Sequence, residues 1–140
     1  MGLLQMYALT AIVLTLKMSA ISIMQGRARA AARKSVNPED AKMFGGEVSS
    51  DEPEPLQRAN RAWRNDLENI PIFLILAGIY VAAGLSATAF TIYCVLFMVA
   101  RIAHTVSYLN AIQPWRTIMF TVGALVTFVM MIQLFIGVVA

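Results

Sequence analysis

Apolar residues dominate three long stretches of the chain, and charge is confined to what lies between them. From Met1 to Gly26 the only charged side chain is Lys17, from Asn69 to Ala100 there is none, and from Thr117 to Ala140 there is again none. A bilayer core of ~30 Å is crossed by ~20 helical residues, so the first and last stretches each predict one span. The middle stretch is too long for one crossing. Gly84, Leu85 and Ser86 interrupt it and predict a tight turn between two antiparallel helices. Four helices are therefore expected, over about 3–32, 55–83, 87–109 and 115–139, with a connecting loop over about 33–54. The outer end of the first helix would leave the membrane. The expected fold is all-α: an integral membrane four-helix bundle spanning 1–140 as a single domain.

Composition agrees with this pattern. Of the 140 residues 59% are hydrophobic and 14% charged, and the mean hydropathy is +0.67. These values disfavour a water-soluble α/β enzyme, a nucleic-acid-binding module, a disulfide-stapled secreted domain and a disordered tail. Cys94, alone in an apolar run, reads as packing rather than redox chemistry. The connector SVNPEDAKMFGGEVSSDEPEP (35–55) carries two glycines, three prolines and most of the acidic residues.

Charge also sets an expected orientation, because short cytoplasmic loops are enriched in Lys and Arg. Arg27, Arg29, Arg33, Lys34 and Lys42 lie between the first two spans and Arg116 between the last two, while the Gly84–Ser86 turn has no basic residue. Both larger loops are expected in the cytoplasm and both termini on the opposite side. The membrane would be a bacterial inner membrane, or the endoplasmic reticulum in a eukaryote. Residues 1–24 read as a retained helix, since no basic segment precedes the apolar run and Lys17 interrupts it.

Polar residues mark the edges of two spans. Arg61, Arg64, Asn65 and Glu68 follow the i, i+3, i+4, i+7 spacing of one helix face, and Arg101, His104, Thr105 and Tyr108 repeat it. A lone arginine there would snorkel to the headgroups. Two ordered stripes instead predict faces turned to a bundle interior or a watery cavity that serves a ligand or ion. Pro71, one turn beyond Glu68, predicts a kink beside the first stripe.

Several guanidiniums with one carboxylate, an amide, a histidine and a tyrosine suit a small zwitterion with more negative than positive charge. A metal is poorly supported, because the sole histidine has no second histidine or cysteine near it in sequence. From these residues alone, an enzyme, a non-catalytic lipid-binding scaffold and a small transporter remain open.

The run Arg61-Ala-Trp-Arg-Asn-Asp-Leu-Glu-Asn-Ile70 resembles the second-helix signature of the membrane-associated proteins of eicosanoid and glutathione metabolism, the MAPEG family. Arg101-Ile-Ala-His-Thr-Val-Ser-Tyr-Leu109 resembles its third-helix signature. Asn37-Pro-Glu-Asp40 and Pro114-Trp-Arg-Thr117 are similar to two cytoplasmic loops of the family's prostaglandin E synthase. The resemblance covers about Lys17 to Thr117. Trp63 stands where the synthase motif has a histidine and Phe120 where it has a tyrosine.

The resemblance implies homotrimers of four-helix subunits that bind glutathione between neighbours, near the cytoplasmic face. It implies that Arg64, Asn65, Glu68, His104 and Tyr108 hold the tripeptide, that Arg29 reaches a carboxylate, and that Arg61 and Arg101 shape the site or its field. Arg116 would stabilise the thiolate, with Asp40 and Thr117 acting near the sulfur. The implied reaction is attack of the thiolate on a lipophilic electrophile or peroxide from the bilayer, as a transferase, a peroxidase or an endoperoxide isomerase.

Overall fold

The computed structural model describes residues 1–139. Four long helices carry the fold: α1 (Leu3–Ala32), α3 (Glu54–Ala82), α4 (Ala87–Leu109) and α5 (Trp115–Val139). Each is long and apolar enough to cross a membrane. Their bounds agree with the hydropathy pattern to within one residue at each end. The chain turns from α3 into α4 at Gly84, whose φ of 63° lies in the left-handed region that a side chain disfavours. Ser86 then opens α4 by accepting a hydrogen bond from the Ala89 amide on its side chain.

The connector is more ordered than a loop. It holds a short helix α2 (Pro38–Phe44) and a two-residue parallel ladder of β1 (Lys34–Ser35) with β2 (Glu47–Val48). Pro38 supplies the fixed φ suited to a helix start, and Glu39 and Asp40 place negative charge at that end. Gly46, at φ 128°, brings its backbone so close to Arg33 that an added Cβ would lie 2.2 Å from the Arg33 carbonyl oxygen. That approach lets Glu47 N donate to Arg33 O at 3.0 Å and begin the ladder.

The helices bury a continuous apolar core. Phe73 of α3 stacks on Phe97 of α4 with ring centroids 3.8 Å apart, and Tyr80 stacks on Phe90 at 5.1 Å. Met6 and Leu14 of α1, Cys94 of α4 and Met130 of α5 complete this core. Large apolar side chains such as Leu16, Ile75 and Phe135 point outward. In a bilayer that outward surface meets acyl chains rather than water, so its exposure carries no hydrophobic penalty.

One buried layer is polar. Lys17 of α1 pairs with Asp66 Oδ2 of α3, and Arg101 of α4 donates from Nη2 to Asp66 Oδ1 at 2.5 Å. Asp66 and Arg101 are fully enclosed. The carboxylate thereby joins three helices across the bundle.

Candidate functional site

The two polar stripes take different directions. On α4, Arg101, His104 and Thr105 are buried and Tyr108 half-buried, so this stripe faces the bundle interior as its spacing predicts. On α3, Arg61, Arg64 and Glu68 are exposed and only Asn65 is half-buried. The reason lies in the adjacent register. Ala59, Ala62, Asp66, Ile70, Phe73 and Ala77 form the buried face of α3, turning the 61/64/68 edge outward.

Asn65 is where the stripes meet. With His104, Tyr108, Arg116, Thr117 and Phe120 it lines a cavity of about 290 Å³ between α3, α4 and α5. The Arg116 guanidinium carbon lies 4.8 Å from the centroid of the Tyr108 ring, a cation–π contact that fixes the head group over the aromatic face. With the Gln113 amide oriented to satisfy its partners, its oxygen also accepts from Arg116 Nε at 3.1 Å and Nη2 at 2.6 Å. Thr117 stands one residue further, 3.2 Å from the same amide. The His104 ring packs edge-on against Tyr108 at 5.6 Å and tilted against Phe120 at 6.1 Å.

The Arg116 guanidinium and the Asn65 amide give this lining its fixed donors. Among the described residues Arg101 Nε, His104 Nδ1 and Thr105 Oγ1 are buried without a hydrogen-bond partner, and of these three residues His104 lines the cavity. Asn65 Oδ1 accepts from Arg101 Nη2 at 2.6 Å, which leaves the Asn65 NH₂ for the cavity. The cavity can therefore receive an anionic, acceptor-rich group beside a fixed guanidinium.

The remaining candidates lie elsewhere on the chain. Arg29 and Asp40 line a second pocket of about 580 Å³ with Gly26, Arg33 and Phe44, formed by the end of α1 and by α2. It shares no lining residue with the Arg116 cavity. Asp40 also accepts from Asn37 Nδ2 at 3.0 Å. Arg61 donates from Nε to the Gln57 carbonyl at 3.2 Å. Arg64 and Glu68 form no ion pair among the described residues. Arg101 reaches the cavity only through Asn65.

The charge pattern did not single out Lys17 and Asp66 as structural partners. Both signals were nonetheless present: a solitary lysine inside an apolar helix, and a carboxylate on the spacing of the apolar face of α3.

Comparison with known proteins agrees with this architecture. The model of the MAPEG family matches residues 7–136. Human prostaglandin E synthase is 33% identical over 120 residues, which cover 85% of this chain and 79% of the relative. Rat microsomal glutathione S-transferase 1 is 38% identical over 103 residues, covering 70% and 66% respectively. With four apolar helices of spanning length and a family match over nearly their whole extent, the chain is a multi-pass membrane protein that belongs to the MAPEG family.

Proposed function

We propose that this protein is a glutathione-dependent membrane enzyme that presents glutathione as its thiolate to lipophilic electrophiles or peroxides dissolved in the bilayer. The observation that carries this reading is the Arg116 cavity, where a guanidinium held on Tyr108 stands at the start of α5 beside the Asn65 amide and the His104 imidazole. Glutathione offers two carboxylates, two amide carbonyls, one ammonium and one thiol. The Arg116 guanidinium and the free Asn65 NH₂ suit the acceptors in that set, and the His104 imidazole on the same lining can donate or accept, so the residues present fit the tripeptide.

In this reading Arg64, Asn65, Glu68, His104 and Tyr108 hold glutathione, with Glu68 receiving the ammonium. Arg61 and Arg101 support the site through structure and field. Arg116 stabilises the sulfur anion, and Asp40 and Thr117 act near the sulfur, while Arg29 reaches a carboxylate. One chain cannot bring all of these together, because Arg64 and Glu68 face outward and Arg29 with Asp40 lines a separate pocket. A neighbouring subunit would complete the site, and the assembly consistent with the family is a homotrimer. Both larger loops lie in the cytoplasm, where glutathione is supplied.

The chemistry follows from charge. A free thiol has a pKa of about 8.5, so only a few per cent is ionised near neutral pH. A fixed, weakly hydrated guanidinium favours the anion. The thiol proton leaves to water, the sulfur lone pair forms a bond to the electrophilic atom, and the leaving group departs with the bonding electrons. An endoperoxide isomerase is the second reading, favoured by the broader coverage of the match to prostaglandin E synthase. There the thiolate attacks a peroxide oxygen, the O–O bond breaks with its electrons on the other oxygen, and loss of a proton from the carbon bearing the S–O linkage forms a carbonyl and returns the thiolate.

The test is calorimetry of the solubilised protein with glutathione, followed by stopped-flow absorbance of thiolate formation. Saturable binding with thiolate appearing near neutral pH is expected. Absence of binding would overturn the enzyme reading in favour of a lipid scaffold or transporter.

A further inference from the structure

The buried layer beside the cavity is overprovided with cations. Lys17 and Arg101 share one carboxylate, Asp66, and the Lys17 side chain is 9% exposed while those of Asp66 and Arg101 are 0% and 1% exposed. Buried ions are costly unless closely paired, so this geometry is constrained from three sides. Asn65 and Asp66 are consecutive on α3, about 100° apart around the helix. One nitrogen of Arg101 spans both of them, donating to Asp66 Oδ1 at 2.5 Å and to Asn65 Oδ1 at 2.6 Å.

That shared nitrogen decides which end of the Asn65 amide faces the cavity. An asparagine can present either its oxygen or its NH₂. Reversing the amide would turn its N–H groups against the N–H groups of Arg101, donor facing donor. Resting on the glutathione reading above, we propose that Asp66 is a positioning residue: with Lys17 it anchors Arg101, which locks Asn65 as a hydrogen-bond donor toward the cavity. Asn65 then selects an acceptor, a carbonyl or carboxylate oxygen of the tripeptide, and rejects its ammonium. The two cations on one carboxylate leave a net positive charge behind Asn65, which favours the same acceptor. Asp66 itself does not line the cavity.

The experiment uses the full chain, solubilised, and compares wild type, Asp66→Asn, Lys17→Met and the exchange Asn65→Asp/Asp66→Asn. Each is measured for affinity toward an S-alkyl glutathione, for KM and kcat with glutathione, and for thermal stability. Asp66→Asn should raise Kd and KM by about two- to tenfold, the scale of one hydrogen bond, with kcat at saturation within about twofold because Arg116 is untouched. A purely structural role would lower the active fraction, and hence kcat, at unchanged KM, and that result overturns the proposal.

If Asp66→Asn does not fold, the exchange variant decides. It moves the carboxylate to position 65, still against Arg101 Nη2, and leaves an amide oxygen at position 66 for Lys17, but it removes the NH₂ at 65, so it should fold and bind at least as weakly as the range given for Asp66→Asn. Wild-type affinity in the exchange variant would refute the donor role. Lys17→Met, which frees one oxygen of Asp66, should raise KM in the same direction by a smaller factor. An unchanged KM there would refute its share in the anchoring. Wild type that fails to bind S-alkyl glutathione defeats the functional reading and this inference with it. Wild-type binding matched by Asp66→Asn defeats this inference alone.

Discussion

Replacing Arg116 with leucine separates thiol activation from tripeptide binding. The Arg116 guanidinium carbon lies 4.8 Å from the Tyr108 ring centroid, and the side chain is half-buried. A sulfur anion at a comparable separation gains about 3 to 4 kcal/mol at an effective dielectric of about 20, and roughly half of that where solvent reaches one side. At about 1.4 kcal/mol per pKa unit, the thiol falls from about 8.5 to a little above 7. At pH 7 the ionised fraction is then about 40% with the arginine and about 3% without it, an expected loss in turnover of about tenfold. At pH 9 solution ionisation makes up most of the deficit, and the gap shrinks to less than about twofold. The assay is turnover of a lipophilic aryl halide at saturating glutathione across this pH range, with S-alkyl glutathione affinity measured alongside by calorimetry. An S-alkyl conjugate has no thiol to ionise, so its affinity should be largely retained. Affinity that falls as far as turnover, or a gap that persists at pH 9, would show that Arg116 anchors a carboxylate.

Glu68→Gln should weaken S-alkyl glutathione binding by about ten- to a hundredfold, the loss of one charge-assisted hydrogen bond of about 1.5 to 3 kcal/mol; a change below twofold in calorimetry contradicts the ammonium contact. Phe97→Ala, which removes the ring stacked on Phe73 at 3.8 Å, should cost about 3 to 5 kcal/mol and shorten the half-life of activity on heating; an unchanged half-life would deny that stack its structural weight. Light scattering corrected for detergent should give three chains per particle, and a monomer with full glutathione affinity would reject a shared site. A reporter fused to the C-terminal end should be active on the side opposite the cytoplasm, and a cytoplasmic signal would reverse the orientation.

Hydropathy alone located the four long helices, because a span must be apolar around its whole circumference and any interruption stands out. Gly84 marked the α3–α4 turn for the same reason. The α4 stripe was legible because its neighbours are apolar, so the 101/104/105/108 spacing had a single reading as an inward face. On α3 charges surround the stripe on several sides, and periodicity could group Arg61, Arg64 and Glu68 without telling which way they point. The direction is set by the neighbouring buried register of Ala59, Ala62, Asp66 and Ile70, within which Asp66 is paired with Lys17 and Arg101, 49 and 35 residues away in sequence. The spacing shows Asp66 on the apolar face of α3 but not the distant partners that let a carboxylate stay there. The helix α2 escaped for a different reason: seven residues cannot sustain a helix alone, and its stability comes from packing on its surroundings.

The Lys17–Asp66 pair also has a consequence for how the chain is made. The helices emerge in order, and Lys17 enters the bilayer with α1 while Asp66 follows 49 residues later. At about 5 to 20 residues per second that interval lasts about 2 to 10 seconds. During it a lysine near the middle of a span costs about 2.5 to 3.5 kcal/mol. The first span therefore waits in the membrane with an unpaired charge, and becomes firmly seated only when α3, the second span, arrives to neutralise it. Insertion of this bundle is a cooperative event, in which an early helix depends on a late one for its right to remain.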